Sequence, residues 1–350
     1  MIMKKIEEID KNFKAEIPVF DEMKTYDIMD APFRLYGLKK DGDGFFRMDR
    51  SVAERVSEGV KALNTNTSGG CLRFKSDTRK IILTAELPDL CLMNHMPLTG
   101  SSSFSIYCDG NFSGVFRAPS VEEYKGRWSS ELWLPEGEKD IMILFPLYNN
   151  VKEVYISLKE KASLSEGNGF SDVPPIVFYG SSITQGGCAS HPGNAYPNMI
   201  MRYHNREILN LGFSGNCKAE YEMCEYIAAL PMSLLVYDYD HNAPTPEFLE
   251  ATHERFFMQL RKQRPDLPVL MISVADGVFG KDIEKRKAII KRTYENAVKN
   301  GDKNVYFLDG QHFYDETGLE NSTVDCCHPN DLGFYAFYKN ISKLIKENNL

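Results

Sequence analysis

The sequence predicts two units of different class in series: an all-β, jelly-roll-like sandwich over residues 1–162, a linker at 163–175, and a three-layer α/β domain with a parallel five-stranded sheet over 176–350. Three observations predict it. Up to about Leu158 the chain is a succession of short runs rich in β-branched and aromatic residues, several of them alternating apolar with polar. After Pro175 the strand candidates are apolar on both faces and are separated by long amphipathic segments, the pattern of a parallel sheet covered on both sides. Between the two lies "SLSEGNGFSDVPP", Ser163 to Pro175, rich in Ser, Gly, Asn and Pro. A chain of 350 residues is also longer than a single core usually supports.

In order along the first half, a short helix fits Ser51–Leu63, and strands fit Cys71–Asp77, Lys80–Leu87, Ser103–Gly110 and Phe112–Pro119. Asp109-Gly110 joins the last two as a hairpin turn, because both residues tolerate positive φ. "DIMILFPL" and "VKEVYISL" continue the pattern, and many short strands joined by turns argue a sandwich. In the second half the strands are Ile176–Gly180, Glu207–Gly212, Leu234–Asp240, Pro268–Val274 and Val305–Gly310. Helices fit Pro246–Gln263, Lys281–Asn300 and Gly333–Asn348; the second of these spaces Ile289, Ile290, Tyr294, Ala297 and Val298 along one helical face.

Composition narrows the function classes. Hydrophobic residues make up 43% and charged residues 26%, an ordinary globular balance. The net charge of −8, with no long Lys/Arg block, argues against a nucleic-acid partner. No apolar run approaches the roughly 20 residues that span a bilayer, and the N-terminus has no secretory apolar core, so no membrane partner and a cytoplasmic location are expected. The eight cysteines include no C-x-x-C pair and read as reduced thiols, with no metal and no cofactor expected. A homo-oligomer is compatible with all of this.

In open α/β sheets the site lies at the carboxyl ends of the strands. Those ends carry Gly180-Ser181-Ser182, then "GFSGN" (Gly212–Asn216), then "DYDHNAP" (Asp238–Pro244), and, after the last strand and a loop, "DCCHPNDLGF" (Asp325–Phe334). A hydroxyl, a glycine turn, an amide and an Asp-x-x-His suffice for acyl transfer. A serine is a weak nucleophile and needs a histidine to take its proton; the histidine needs an orienting carboxylate; the oxyanion needs preorganised N–H donors. Spacing alone does not choose between Ser181 and Ser182, and the second glycine of G-x-S-x-G is missing. The competing structural readings are a helix cap at Ser182, a cap for the last helix at Asp325, a plain turn at Gly215 and an Asx-turn at Asn242.

Residues from about Pro174 to the end resemble the SGNH, or GDSL-type, hydrolases. "GSSIT" matches their Gly-Asp-Ser-Ile-Thr block with Ser181 in place of Asp, so the resemblance puts the nucleophile on Ser182. It puts oxyanion donors on the Ser182 N–H, Gly215 and Asn242, and the base and its orienter on His328 and Asp325 of Asp-x-x-His-Pro. The third block departs from the family's Gly-x-Asn-Asp, and the first lacks its Asp. The first half is similar to the sandwich that precedes the catalytic domain in several carbohydrate esterases. The resemblance therefore implies a serine esterase that removes acetyl groups from oligosaccharides such as xylan or mannan fragments, through an acyl-enzyme. The alternatives are a lipid esterase or acyl-thioesterase, and a catalytically silent carbohydrate-binding protein. His191 is a candidate pocket residue, and Trp128 a candidate sugar platform beside a core Trp133.

Overall fold

The first half of the chain builds two facing antiparallel sheets. They are seen in a computed structural model that describes residues 19–275 and 277–350. The strands are β1 (Met23–Asp27), β2 (Arg34–Tyr36), β3 (Lys39–Asp41), β4 (Gly44–Phe46), β5 (Cys71–Ser76), β6 (Lys80–Glu86), β7 (Phe104–Cys108), β8 (Asn111–Phe116), β9 (Arg127–Trp133), β10 (Lys139–Leu144) and β11 (Glu153–Lys159). One sheet has the order β1-β11-β6-β9 and the other β2-β5-β10-β7-β8, with β3 and β4 as a separate hairpin. Asp109 and Gly110 both have positive φ, at 49° and 78°, and turn β7 into β8.

The inner faces of the two sheets share one core, which includes Leu72, Phe74, Ile106, Ile141 and Ile143 opposite Ile81, Leu83, Trp128, Val154 and Ile156. The five-stranded sheet is buried on its other face too. Cys71, Tyr107 and Leu144, one step out of phase with the inner residues, pack in a second core with Ile176, Phe178 and Tyr196. Period-two alternation thus places one set of side chains in the sandwich and the other against the second half of the chain.

The helix expected at Ser51–Leu63 forms as two, α1 (Arg50–Val56) and α2 (Glu58–Leu63). The break falls at extended Ser57, whose hydroxyl accepts from the Val60 N–H at 3.1 Å and so starts the second helix. Both helices lie on the α/β side: Ala53 and Val60 share a core with Val177, Leu211 and Ile227. A third short helix, α3 (Leu98–Ser101), precedes β7.

The second half forms β12 (Ile176–Gly180), β13 (Ile208–Gly212), β14 (Leu234–Asp238), β15 (Val269–Ile272) and β16 (Val305–Leu308), parallel throughout in the order β13-β12-β14-β15-β16. The helices are α4 (Ser182–Gln185), α5 (Tyr196–His204), α6 (Tyr221–Ala229), α7 (Pro246–Gln263), α8 (Ile283–Lys299), α9 (Leu319–Ser322) and α10 (Asp331–Asn348). Because β13 lies on one side of β12 and β14 on the other, the carboxyl end of β12 is the topological switch point, where open α/β sheets place their ligands.

The Ser163–Pro175 segment is tied down along its length. Ser165 bridges Lys75, the Asn168 N–H donates to Asp140 at 2.6 Å, and Phe170 lies between Tyr36 and the Arg73 guanidinium. Among the described residues no helix is long and apolar enough to cross a membrane.

Candidate active site

The end of β12 is built for close approach. A Cβ on Gly180 would lie 2.0 Å from the Thr184 hydroxyl and 2.6 Å from the Asp238 carbonyl, so only glycine lets the chain turn into α4 here. Ser181, fully buried, is the N-cap: its hydroxyl accepts from the Ile183 N–H at 3.2 Å. Ser182 is thereby released to be the first helical residue, half-buried, with its hydroxyl outside the capping interaction.

The single turn of α4 is held from three sides. Tyr148 donates to the Ser182 carbonyl at 3.1 Å, the Asn210 amide to the Thr184 carbonyl at 2.8 Å and Ser68 to the Gln185 carbonyl at 2.5 Å. Tyr148 and Ser68 come from the sandwich half. One turn carries little macrodipole, so the negative charge of an oxyanion has to be met here by individual N–H groups.

Below the turn Asp238 is buried and accepts from Thr184 at 3.1 Å and Tyr196 at 3.3 Å. Burial pushes its carboxyl up to about 7, and its hydrogen bonds to Thr184 and Tyr196 brace the turn.

The partner of the Ser182 hydroxyl is His328. Ser182 Oγ and His328 Nε2 are 2.9 Å apart, and His328 Nδ1 is 2.8 Å from Asp325 Oδ2. With Nδ1–H donating to the carboxylate, Nε2 presents its lone pair to the serine.

Asp325 fixes more than the ring. Its other oxygen accepts the N–H groups of Cys327 at 3.1 Å and His328 at 2.7 Å, which closes the loop on itself, with Cys326 at φ 64°. Burial pushes the Asp325 carboxyl up, but the hydrogen bonds from His328 and Cys327 outweigh it, and the group lies below its ordinary range. The cap of α10 is a different residue, Asn330, which accepts from Leu332 and Gly333. The loop is further pinned to the nucleophile's own loop by the Cys188 N–H, which donates to the Pro329 carbonyl at 3.2 Å.

Gly215 sits exposed at φ +69°, and a Cβ there would meet nothing within 4 Å. Left-handed backbone is what requires glycine here. Among the described residues neither the Gly215 N–H nor the Ser182 N–H donates to a protein acceptor.

Asn242 lies on a 3-10 turn, Asp240–Asn242, and donates one amide hydrogen to the Phe213 carbonyl at 2.8 Å, which leaves the other available. That turn is locked by a buried ion pair, Asp240 with Arg286 at 2.9 Å, and Arg286 also donates to the Ala243 carbonyl at 2.8 Å. The Phe213–Gly215 loop is locked in turn. The Gln185 side chain accepts from the Ser214 N–H at 3.0 Å. Arg47, buried and carried by the first half, donates to the Asn210, Gly212 and Leu63 carbonyls and stacks on Phe213. Burial pulls that guanidinium down to about 9.

Two expectations need correction. Trp128 is 6% exposed, inside the sandwich against Phe104, and cannot be a sugar platform; Trp133 is 65% exposed beside Lys80. They lie five positions apart on one strand, an odd step, so the pleat sends them to opposite faces, and the inward phase is the one carrying Trp128. His191 Nδ1 and the Ser105 hydroxyl share a hydrogen bond at 2.9 Å, and the His191 ring stacks on Phe112 at 4.7 Å. Both partners belong to the sandwich, and burial pulls the ring's affinity for protons down, so His191 joins the two halves.

One residue is missed by sequence reasoning. His95, from the sandwich half, meets the His328 ring edge-on at 5.2 Å. Among the described residues His95, Asp325 and His328 form the one group of three metal-ligating side chains, with ligand atoms within 4.8 Å of one another. A metal ion there would have to displace the hydrogen bonds that link Asp325, His328 and Ser182. No signal in the sequence marks His95, because its partner is far along the chain.

A parallel sheet in the order 2-1-3-4-5, with a serine after the first strand and an Asp-x-x-His after the last, defines the SGNH class of hydrolases. Residues 174–346 match the GDSL-like Lipase/Acylhydrolase family, and residues 7–164 match the N-terminus of SGNH-hydrolase-type esterases. The chain belongs to the SGNH (GDSL-type) hydrolase family. A Bacteroides ovatus protein described as a GDSL-like lipase is 28% identical, with a TM-score of 0.83 over 93% of this chain and 97% of that one. The salicylyl-acyltransferase SsfX3 of a tetracycline biosynthetic pathway is 18% identical, with a TM-score of 0.77 over 95% of this chain and 99% of that one. An acetyl xylan esterase of the rumen bacterium Butyrivibrio proteoclasticus shares the fold at 13% identity and a TM-score of 0.59, over 93% of this chain and 98% of that one. No curated protein matches the chain.

Proposed function

We propose that this hydrolase is a serine esterase that removes acetyl groups from oligosaccharides through an acyl-enzyme. The observation that carries the reading is the continuous hydrogen-bonded chain from Ser182 through His328 to Asp325.

Ser182 Oγ attacks the ester carbonyl while His328 Nε2 takes its proton. Asp325 holds the imidazole in the tautomer that can do so and stabilises the imidazolium without itself being protonated. The oxyanion is met by the Ser182 and Gly215 N–H groups and by the free hydrogen of the Asn242 amide. Each such donor lowers the barrier by about 3–4 kcal/mol. His328 then protonates the departing alcohol. Water takes its place, gives its proton to His328 and attacks the acyl-enzyme; as the acyl–Oγ bond breaks, His328 returns that proton to Ser182 Oγ and acetate is released.

The carbohydrate half of the reading is supported by the fold shared with an acetyl xylan esterase and family two carbohydrate esterases. Its test is a pair of measurements: turnover of 4-nitrophenyl esters of increasing acyl length, and acetate release from acetylated xylo- and manno-oligosaccharides followed by mass spectrometry. Acetyl is expected to be preferred, with a mass loss of one acetyl group per event. A preference for long acyl chains would instead favour a lipid esterase or acyl-thioesterase.

A further inference from the structure

His95 is presented by a built turn. An antiparallel bridge between Met93 and Met96 leaves Asn94 and His95 at the tip. The base of the turn is clamped on both sides. The Cys91 N–H donates to Ser102 at 3.1 Å, and its carbonyl accepts from Ser101 at 2.7 Å. The Asn149 amide donates to Ser102 at 2.9 Å and to the Asp89 carbonyl at 3.0 Å. Met96 is 5% exposed and shares a core with Tyr148, Ile183, Cys188 and Ala189, so the sandwich turn and the nucleophile's loop are one packed body. The fit is close: a Cβ on Gly100 would lie 2.1 Å from the Ala189 carbonyl.

The side chain held this way is exposed, and it touches the acid–base residue. Both ring nitrogens of His328 are engaged, by Ser182 and Asp325, so the two histidines make a ring contact and not a hydrogen bond. Among the described residues neither nitrogen of His95 takes a protein partner. A neutral imidazole there offers one donor and one acceptor.

The position fixes which part of a substrate would use them. When His328 protonates the leaving alcohol, that oxygen lies about 2.6–3.2 Å from Nε2. The substituents on the neighbouring carbons of the alcohol then fall in the space bordered by His95. In a sugar ester those substituents are hydroxyl groups.

We infer that His95 and its turn form the leaving-group subsite, in which His95 hydrogen-bonds a hydroxyl beside the ester oxygen of a polyhydroxylated alcohol. The inference rests on the esterase reading and adds to it a residue supplied by the sandwich. It makes the first half of the chain part of substrate selection.

The test compares kcat/KM for an acetylated xylobioside with that for 4-nitrophenyl acetate, whose leaving group has no hydroxyl beside the ester oxygen. The enzymes are the native protein and the His95→Ala, His95→Phe and His95→Gln variants. The ratio of the two kcat/KM values is expected to fall about 3- to 10-fold in the Ala and Phe variants, the equivalent of one net hydrogen bond, with most of the loss in KM for the sugar ester. His95→Gln, which keeps a donor and an acceptor, is expected to recover part of the ratio.

An unchanged ratio in active enzymes overturns the subsite and leaves the esterase reading standing. So does rescue by Phe rather than Gln, since that would mean the ring only supports His328. Turnover of either ester that does not depend on Ser182 overturns both.

Discussion

At the scale of single residues, two adjacent serines divide two jobs by which way each hydroxyl points. Ser181 turns inward and caps α4; Ser182, one residue on, reaches His328. Ser181→Ala is therefore expected to cost about 1 kcal/mol of stability, the usual worth of an N-cap, while esterase activity falls far less than in Ser182→Ala. Urea denaturation and 4-nitrophenyl acetate turnover of the two variants check this, and a larger activity loss at Ser181 would reverse the assignment. What was legible at this scale was local. Asp325 and His328 are three residues apart, and the loop they close is written in that spacing. Spacing leaves the choice between the serines open, and only the resemblance to the SGNH hydrolases makes it. The tryptophans were misread because alternation was recognised without its phase, and His95 was invisible because its contact is made across the whole chain.

At the scale of elements, the long helices and apolar parallel strands are legible because their periodicity is sustained. Pro246–Gln263 and Ile176–Gly180 fall where the pattern puts them. The short β2, β3 and β4 are three residues each, too brief to carry a period, and α5 and α6 are nine residues each, too short to sustain a helical period. Packing between elements also sets a pH dependence. His253 on α7 is fully buried against Thr293 on α8, at 2.9 Å, and burial pulls it from 6.5 down to about 3. Its folded value lies below its unfolded one, so between about pH 6.5 and 3 the unfolded chain binds a proton that the folded chain refuses. Stability contributed by neutral His253 is thus present above pH 6.5 and is lost as the pH falls through that window. His253→Gln is expected to flatten the fall of the urea midpoint between pH 7 and pH 5; an unchanged slope would assign the acid sensitivity to other groups.

At the scale of the whole molecule, the two halves are legible as two rhythms but function as one body. Met48, Ala53 and Val60 complete one core of the α/β half, and Cys71, Tyr107, Leu144 and Tyr148 complete the other. Each large apolar side chain buried this way contributes about 1.5–3 kcal/mol, and Arg47 adds hydrogen bonds to the strand end that carries Gly215. Residues 174–350 alone are expected to lack a cooperative unfolding transition and to bind a hydrophobic dye; a monomeric, cooperatively folding fragment would contradict that. Sequence reading could not supply this seam, because alternation reports that a face is buried and not what buries it. The central claim is that Ser182, activated by His328 and Asp325, is the nucleophile. The most direct measurement is labelling with a fluorophosphonate, followed by peptide mapping. The account predicts one label per chain, on Ser182, with activity lost in step and no label on Ser182→Ala. A label on Ser181 or elsewhere, or full activity in a labelled enzyme, would contradict it.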